Sequence, residues 1–257
     1  MLTSQLGSPP PAGAPGGPIG FAHRGAPAWY QRENTLAAFN RALAFGASGL
    51  ESDAWLAADG VPVLHHDGEF GPPGLRRSVP ALSSGALPGW LPTLPALYQQ
   101  LGTEFELSLD IKAPAGHAAD ATTTAVLAAA RAAGGVAAVR RLWLCGPLGS
   151  LRAWRELDAD VRLVNSASVR DIREAGGIGP YTRELRAAGV AALNLRAREW
   201  AAPTAAIARV LHDHELLAFG WDVQRPPTLA RLLGYGLDGV YSDHVDRLVA
   251  ATGRRAG

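Results

Sequence analysis

The chain is short of the residues that staple a fold, grip nucleic acid or cross a bilayer. It has one cysteine, Cys145, in 257 residues. That excludes a disulfide within the chain and a zinc site built on cysteines. Cys145 closes the apolar run Leu142–Leu144 and reads as a small buried hydrophobe. There is no excess of one charge, since the formal net charge is +1. A nucleic-acid partner normally calls for a basic patch or stripe, so none is expected, and any phosphate must be gripped by a few placed cations. No run of about 18 uncharged apolar residues occurs. The Ala-rich stretch 118–139 comes nearest, but Asp120 and Arg131 interrupt it, and a soluble helix is expected there. The first residues have neither a basic segment nor an apolar one, so no signal peptide is expected. Together these absences lead to the expectation of a cytoplasmic protein. Residues 1–17, rich in Pro and Gly, are expected to form a disordered arm, and 251–257 a short tail.

What is present is a globular composition, with 47% hydrophobic and 18% charged residues. Short apolar runs alternate with helical patterns. Strands are expected at 19–22, 49–53, 105–112, 141–145, 161–165, 190–195, 216–223 and 239–242. Helical spacing occupies most of the intervals, as at 35–45, 94–101 and 204–214. Strands alternating with helices imply parallel pairing through βαβ crossovers. Eight such strands point to an α/β fold, a (β/α)8 TIM barrel spanning residues 18–250.

One segment breaks the alternation. Val61–His66 reads as a strand, and Asp59-Gly60 separates it from the second strand. Asp-Gly between extended runs signals a two-residue hairpin. With that turn, Ala58 would face Val61, Leu56 would face Val63 and Asp53 would face His66. A Gly-, Pro- and Ser-rich insertion, about 68–93, follows and is expected to be a loop.

Active sites of such barrels lie at the C-terminal ends of the strands. Strand one ends in His23-Arg24-Gly25 and strand eight in Ser242-Asp243-His244. Glu51 and Asp53 stand two apart on strand two, so they share a face, and Asp110 and Lys112 do the same on strand three. Three carboxylates without thiolates suit a hard divalent cation, Ca2+ or Mg2+. A structural ion pair is the alternative for Asp110 and Lys112, but Ser108, Asp110 and Lys112 alternate strictly with Leu107, Leu109 and Ile111, which favours a polar inner face. His23 and His66 titrate near neutrality and suit general acid and base roles. His65 should face away from His66. Arg24 offers a fork to a phosphate or to a barrel carboxylate. Trp221, near the end of strand seven, is either a pocket wall or barrel core.

The runs HRGAPAWYQRENTLAAF, GLESDAWLAADGVPVLHHD, LSLDIK, FGWDV and GLDGVYSD occur in that order. Taken together they resemble the glycerophosphodiester phosphodiesterase family, from Phe21 to about Leu248. The resemblance implies a barrel with a small insertion after the hairpin. It implies that His23 and His66 act as acid and base, that Glu51, Asp53 and Asp110 hold Ca2+ or Mg2+, and that Arg24 and Lys112 contact phosphate. Glu33, in the ENT motif, would brace the site. The family's third metal carboxylate is usually Glu, whereas Asp110 is one methylene shorter. The family's strand-seven motif Trp-Thr-Val-Asn is here Trp221-Asp222-Val223-Gln224. The implied reaction is hydrolysis of a small glycerophosphodiester to sn-glycerol 3-phosphate and an alcohol. A lysophospholipase D-like enzyme with an apolar ridge in 70–92, and a non-catalytic binding protein on the same barrel, are the alternatives.

Overall fold

The computed structural model describes residues 17–117 and 119–253. The arm expected at the N-terminus lies outside these residues, apart from Gly17. The elements in chain order are β1 (Ile19–Ala22), α1 (Leu36–Ala44), β2 (Gly49–Leu56), β3 (Pro62–Leu64), β4 (Glu69–Phe70), β5 (Arg77–Ser78) and α2 (Leu94–Leu101). Then come β6 (Glu106–Ile111), α3 (Asp120–Val139), β7 (Leu142–Gly146), α4 (Leu148–Leu157), β8 (Arg162–Ser166), α5 (Val169–Glu174) and α6 (Ile178–Ala187). The chain finishes with β9 (Ala192–Arg196), α7 (Ala206–Asp213), β10 (Leu217–Trp221), α8 (Pro226–Gly234), β11 (Gly239–Ser242) and α9 (Val245–Thr252).

The parallel strands run β1-β2-β6-β7-β8-β9-β10-β11, and β11 pairs back onto β1. The sheet therefore closes, and the expected (β/α)8 barrel is present. Closure leaves no parallel edge. All eight expected barrel strands are found. Three helical elements differ from expectation. The α5–α6 pair replaces a single helix, α9 packs against β1 and β11 where no helix had been assigned, and α3 is interrupted. Gly134 and Gly135 leave helical geometry inside α3. By length and composition alone α3 could cross a membrane. In the fold it packs against α2 and α4, with Thr122, Val126, Leu127 and Ala130 buried.

Inward-facing side chains fill the lower barrel. Phe21 stacks on Tyr241 with centroids 4.6 Å apart, Trp143 lies 5.1 Å from Phe219, and Phe21 lies 5.7 Å from Phe219. Two inward positions must be bare for the rings to fit. A Cβ on Gly49 would lie 2.6 Å from the Phe21 ring, and one on Gly239 would lie 2.7 Å from the Phe219 ring. Cys145 is buried among these residues, as expected. The outer core lies between sheet and helices and holds Phe39, Leu64, Leu97, Trp154 and Trp200.

The hairpin differs by one residue from the expected register. Ala54 pairs with Leu64, Trp55 with Val63 and Leu56 with Pro62. Ala57 N–H donates to Val61 O at 3.0 Å, and Gly60 N–H donates to Ala57 O at 2.9 Å. The loop thus has three residues, Ala58, Asp59 and Gly60. Only Gly60 is left-handed, at φ +79°, whereas a two-residue type I′ turn needs both central residues at positive φ. Asp59 instead accepts from the N–H and hydroxyl of Ser84. The partner of Asp53 is therefore His65, whose N–H donates to Asp53 O at 3.0 Å, and not His66.

The insertion is not a bare loop. It contains the β4–β5 pair and a small core of Ala57, Val63, Phe70, Val79 and Leu91. Leu82, Leu87 and Trp90 pack against that core, so among the leucines expected to form a ridge Leu75 alone is strongly exposed.

Filling Gly49 tests the ring packing directly. Gly49→Ala is expected to destabilise the fold by about 1–3 kcal/mol through overpacking against Phe21. Thermal unfolding should show a fall of roughly 2–10 °C. An unchanged melting temperature would show that the Phe21 ring yields without cost.

Candidate active site

Strand ends carry the polar residues to one mouth of the barrel. Parallel register places Glu51 beside Ser108 and Asp53 beside Asp110. Lower in the barrel, the Ser108 hydroxyl is spent on Cys145 Sγ (3.2 Å) and Tyr241 Oη (3.0 Å). Glu51 and Asp53 are both buried.

His23 follows β1 directly. Its Nδ1 lies 2.5 Å from Asp243 Oδ1 and its Nε2 3.7 Å from Glu51 Oε2. Burial acts to lower the pKa of His23. The Glu51 charge and the bond to Asp243 outweigh it, and the pKa is raised to about 9. The backbone turns sharply here. Arg24 has φ +51°, which aims its N–H at Glu51 Oε2 (3.0 Å). A non-glycine residue in this region is uncommon. The Arg24 guanidinium is held by both Glu33 oxygens, at 3.1 and 3.3 Å. The guanidinium thus pairs with a carboxylate of the loop after β1, and only the Arg24 backbone N–H meets a barrel carboxylate, Glu51. Glu33, expected to brace the site, has the Arg24 guanidinium as its partner.

Lys112 lies just past the end of β6. Its ammonium is 2.5 Å from Asp110 Oδ2 and 3.2 Å from Asp53 Oδ1. The ion pair expected as an alternative is present, and it sits inside the cluster. Burial and the neighbouring Glu51 charge raise Asp53 to about 7, against the opposing effect of Lys112. Burial also raises Glu51. Lys112 contacts both Asp53 and Asp110, and among the described residues no group of three acidic, His or Cys side chains converges on one point. The donors still suit a hard cation in kind. Glu51 and Asp53 are buried oxygen donors on one face, and Asp53 Oδ2 is buried with no hydrogen-bond partner.

His66 stands after β3, half-buried, with its Nδ1 2.7 Å from Asp67 Oδ1. Its charge is felt at Asp53, so the two lie within electrostatic reach despite the shifted register. His65 faces away and packs 6.0 Å from the Trp90 ring. Its Nδ1 accepts from the Gly68 N–H at 3.1 Å. Trp221 is exposed at 38%, which rules out barrel core. The Arg196 guanidinium lies 5.1 Å from its ring, and Arg196 also pairs with Asp222 at 2.7 Å.

Three participants escaped the sequence reading. Asp243 holds His23. Gln224 holds Asp243, donating to Oδ2 at 2.8 Å and accepting from Asp243 N–H at 3.0 Å. Asp67 holds His66. The signal for Asp243 was its place at the end of the last strand. For Asp67 it was simple adjacency in His65-His66-Asp67.

The structure is thus a closed parallel barrel that gathers two histidines and buried carboxylates at its strand ends. The sequence profile of the Glycerophosphoryl diester phosphodiesterase family matches residues 23–80, which hold His23, Arg24, Glu33, Glu51, Asp53 and His66. The match covers 58 of the 257 residues, and over that stretch it agrees with the resemblance carried by the motifs. Over 50 residues it is 48% identical to glycerophosphodiester phosphodiesterase domain-containing protein 4 of Mus musculus. That match covers 20% of this chain and 8% of the relative. The fold is shared much further. A glycerophosphodiester phosphodiesterase from Thermotoga maritima matches 90% of this chain and 97% of its own, with TM-score 0.75 and 21% identity. A phosphodiesterase from Oleispira antarctica, solved with the product sn-glycerol-3-phosphate, matches 91% of this chain and 96% of its own, with TM-score 0.75 and 19% identity.

The buried charges set a pH dependence of stability. The pKa of Asp53 rises from an ordinary 3.8 to about 7 on folding, so its contribution is full below 3.8 and lost as pH rises through 7. His23 rises from 6.5 to about 9, so its contribution is lost as pH rises through 9. In protein stripped of divalent ions, the melting temperature should fall steadily from pH 5 to pH 9. A profile that rises over this range would contradict the buried, cation-free cluster.

Proposed function

We propose that the chain hydrolyses glycerophosphodiesters to sn-glycerol 3-phosphate and an alcohol, in a reaction that depends on a divalent cation. The observation that carries this is the two histidines, each bonded to its own carboxylate, with His23 beside Glu51 and His66 within electrostatic reach of Asp53 in the buried acidic pair. The family profile over residues 23–80 supports it, as does the product bound to the Oleispira relative.

His23 and His66 divide the proton traffic. One takes the proton of the attacking hydroxyl and the other gives one to the leaving alcohol oxygen. Asp243 and Asp67 fix the two rings and favour a proton on Nδ1, which turns each Nε2 to the chemistry. Lys112 and Arg24 place positive charge by the diester, and preorganised charge of this kind lowers the barrier where negative charge develops. Glu51, Asp53 and Asp110 would hold Ca2+ or Mg2+. When bound, the ion neutralises charge on the nonbridging oxygens. For Asp110 to serve, Lys112 must release it, which frees the ammonium for the phosphate.

Trp29 (96% exposed), Tyr30 and Leu75 favour a second reading, in which the substrate is a lysophospholipid at a lipid surface. All three lie in loops, and Trp29 and Tyr30 follow β1 at the mouth of the barrel.

Purified protein should release glycerol 3-phosphate from glycerophosphocholine. EDTA should stop the reaction, and added Ca2+ or Mg2+ should restore it. His23→Ala and His66→Ala should each lower kcat by roughly 100-fold or more. Wild-type rates in both variants would remove the histidines from the mechanism. No turnover together with no cation binding by calorimetry would favour a non-catalytic protein. Choline release from lysophosphatidylcholine that exceeds release from glycerophosphocholine, and falls in Trp29→Ala, would favour the lipid reading.

A further inference from the structure

Beside His66, the insertion and the loop after β1 border an open cavity of about 550 Å3. Its lining includes Arg32, His65, Asp67, Glu69, Arg76 and Trp90. It adjoins the catalytic centre, because His65 and Asp67 flank His66 in the chain and Asp67 bonds the His66 ring. The Arg24 charge is also felt at Asp67.

The charges around this cavity are unequally partnered. Asp67 is paired with His66, and Glu69 lies 3.5 Å from Arg76. Arg32 has no carboxylate partner among the described residues. Its guanidinium instead stacks 4.0 Å from the centroid of the Trp90 ring. Stacking fixes the planar group through its face and leaves the N–H fork free. A fixed, unspent fork on a cavity wall matches a planar anion, and a carboxylate fits it in two-point geometry. Asp67 and Glu69, both with solvent-exposed edges, suit an ammonium group nearby. A quaternary ammonium group fits less well, because Arg32 already covers the ring face it would use.

We propose that this cavity receives the alcohol part of the diester and selects an alcohol that bears a carboxylate beside an ammonium, of which serine is the simplest. Arg32 grips the carboxylate, and Trp90 holds Arg32 in place. This specificity rests on the glycerophosphodiester reading of the neighbouring centre.

Glycerophosphoserine and glycerophosphoethanolamine differ by that carboxylate alone, so they make the test. Wild type should show a kcat/KM for the serine ester roughly tenfold or more above that for the ethanolamine ester, expressed mainly in KM. Arg32→Gln should bring the ratio close to one and leave ethanolamine-ester turnover unchanged within about twofold. Trp90→Ala, which frees the guanidinium, should lower the ratio in part. Equal use of the two esters by wild type, with good turnover of both, would overturn the specificity while the phosphodiesterase reading stands. Calorimetric binding of both esters separates the remaining cases. Absent turnover with Arg32-dependent preference for the serine ester would keep the cavity and overturn the reaction. Absent turnover with no such preference would overturn both.

Discussion

Everything at the mouth of this barrel depends on the rings that fill its lower half. Phe21, Trp143, Phe219 and Tyr241 occupy the interior, and bare positions at Gly49 and Gly239 let the rings in. A barrel of eight strands has room for side chains and little else. Once those rings are placed, water is shut out below, and polar side chains have only the strand ends left to them. Ser108 marks the boundary, since its hydroxyl is used up within the interior on Cys145 and Tyr241. Two residues further along β6, Asp110 is already in the polar layer.

The second constraint follows from the first. Glu51 and Asp53 sit against that dry floor, and burial there penalises both carboxylates. The surrounding groups are best understood as answers to that penalty. The Arg24 N–H, the His23 ring and the Lys112 ammonium all turn toward the acidic pair. Asp243 and Gln224 then hold His23, and Glu33 holds Arg24. In the proposed reaction the same cationic groups would also meet the negative charge of the diester, so structural compensation and substrate recognition would draw on the same side chains.

Most of the fold could be read in advance, because a barrel strand is a local pattern. Alternation at 107–112 and the framing of Glu51 and Asp53 assigned faces without tertiary information. The burial of Cys145 and the strand-end residues followed from pattern and position. The hairpin register did not, because it depends on whether Asp59 adopts a left-handed conformation. Ser84, 25 residues away, helps decide that by engaging the Asp59 carboxylate. The Asp110–Lys112 ion pair was legible as an alternative, but the second contact of Lys112, to Asp53 on the neighbouring strand, was not, since a flexible ammonium chooses between carboxylates by distance. Asp243 and Gln224 had strand-end positions in their favour, yet nothing local links either to a histidine some 200 residues earlier.

The three-residue turn at Ala58–Gly60 gives the double histidine a further meaning. His65 and His66 are adjacent, and they serve opposite sides of the same strand end, one toward the Trp90 wall and the other toward the acidic pair. Shifting a strand by one residue exchanges its two faces. The register fixed beside that turn therefore decides which imidazole meets the Trp90 wall and which meets the acidic pair, so in the proposed reaction it also decides which of two neighbouring rings is placed to carry a proton.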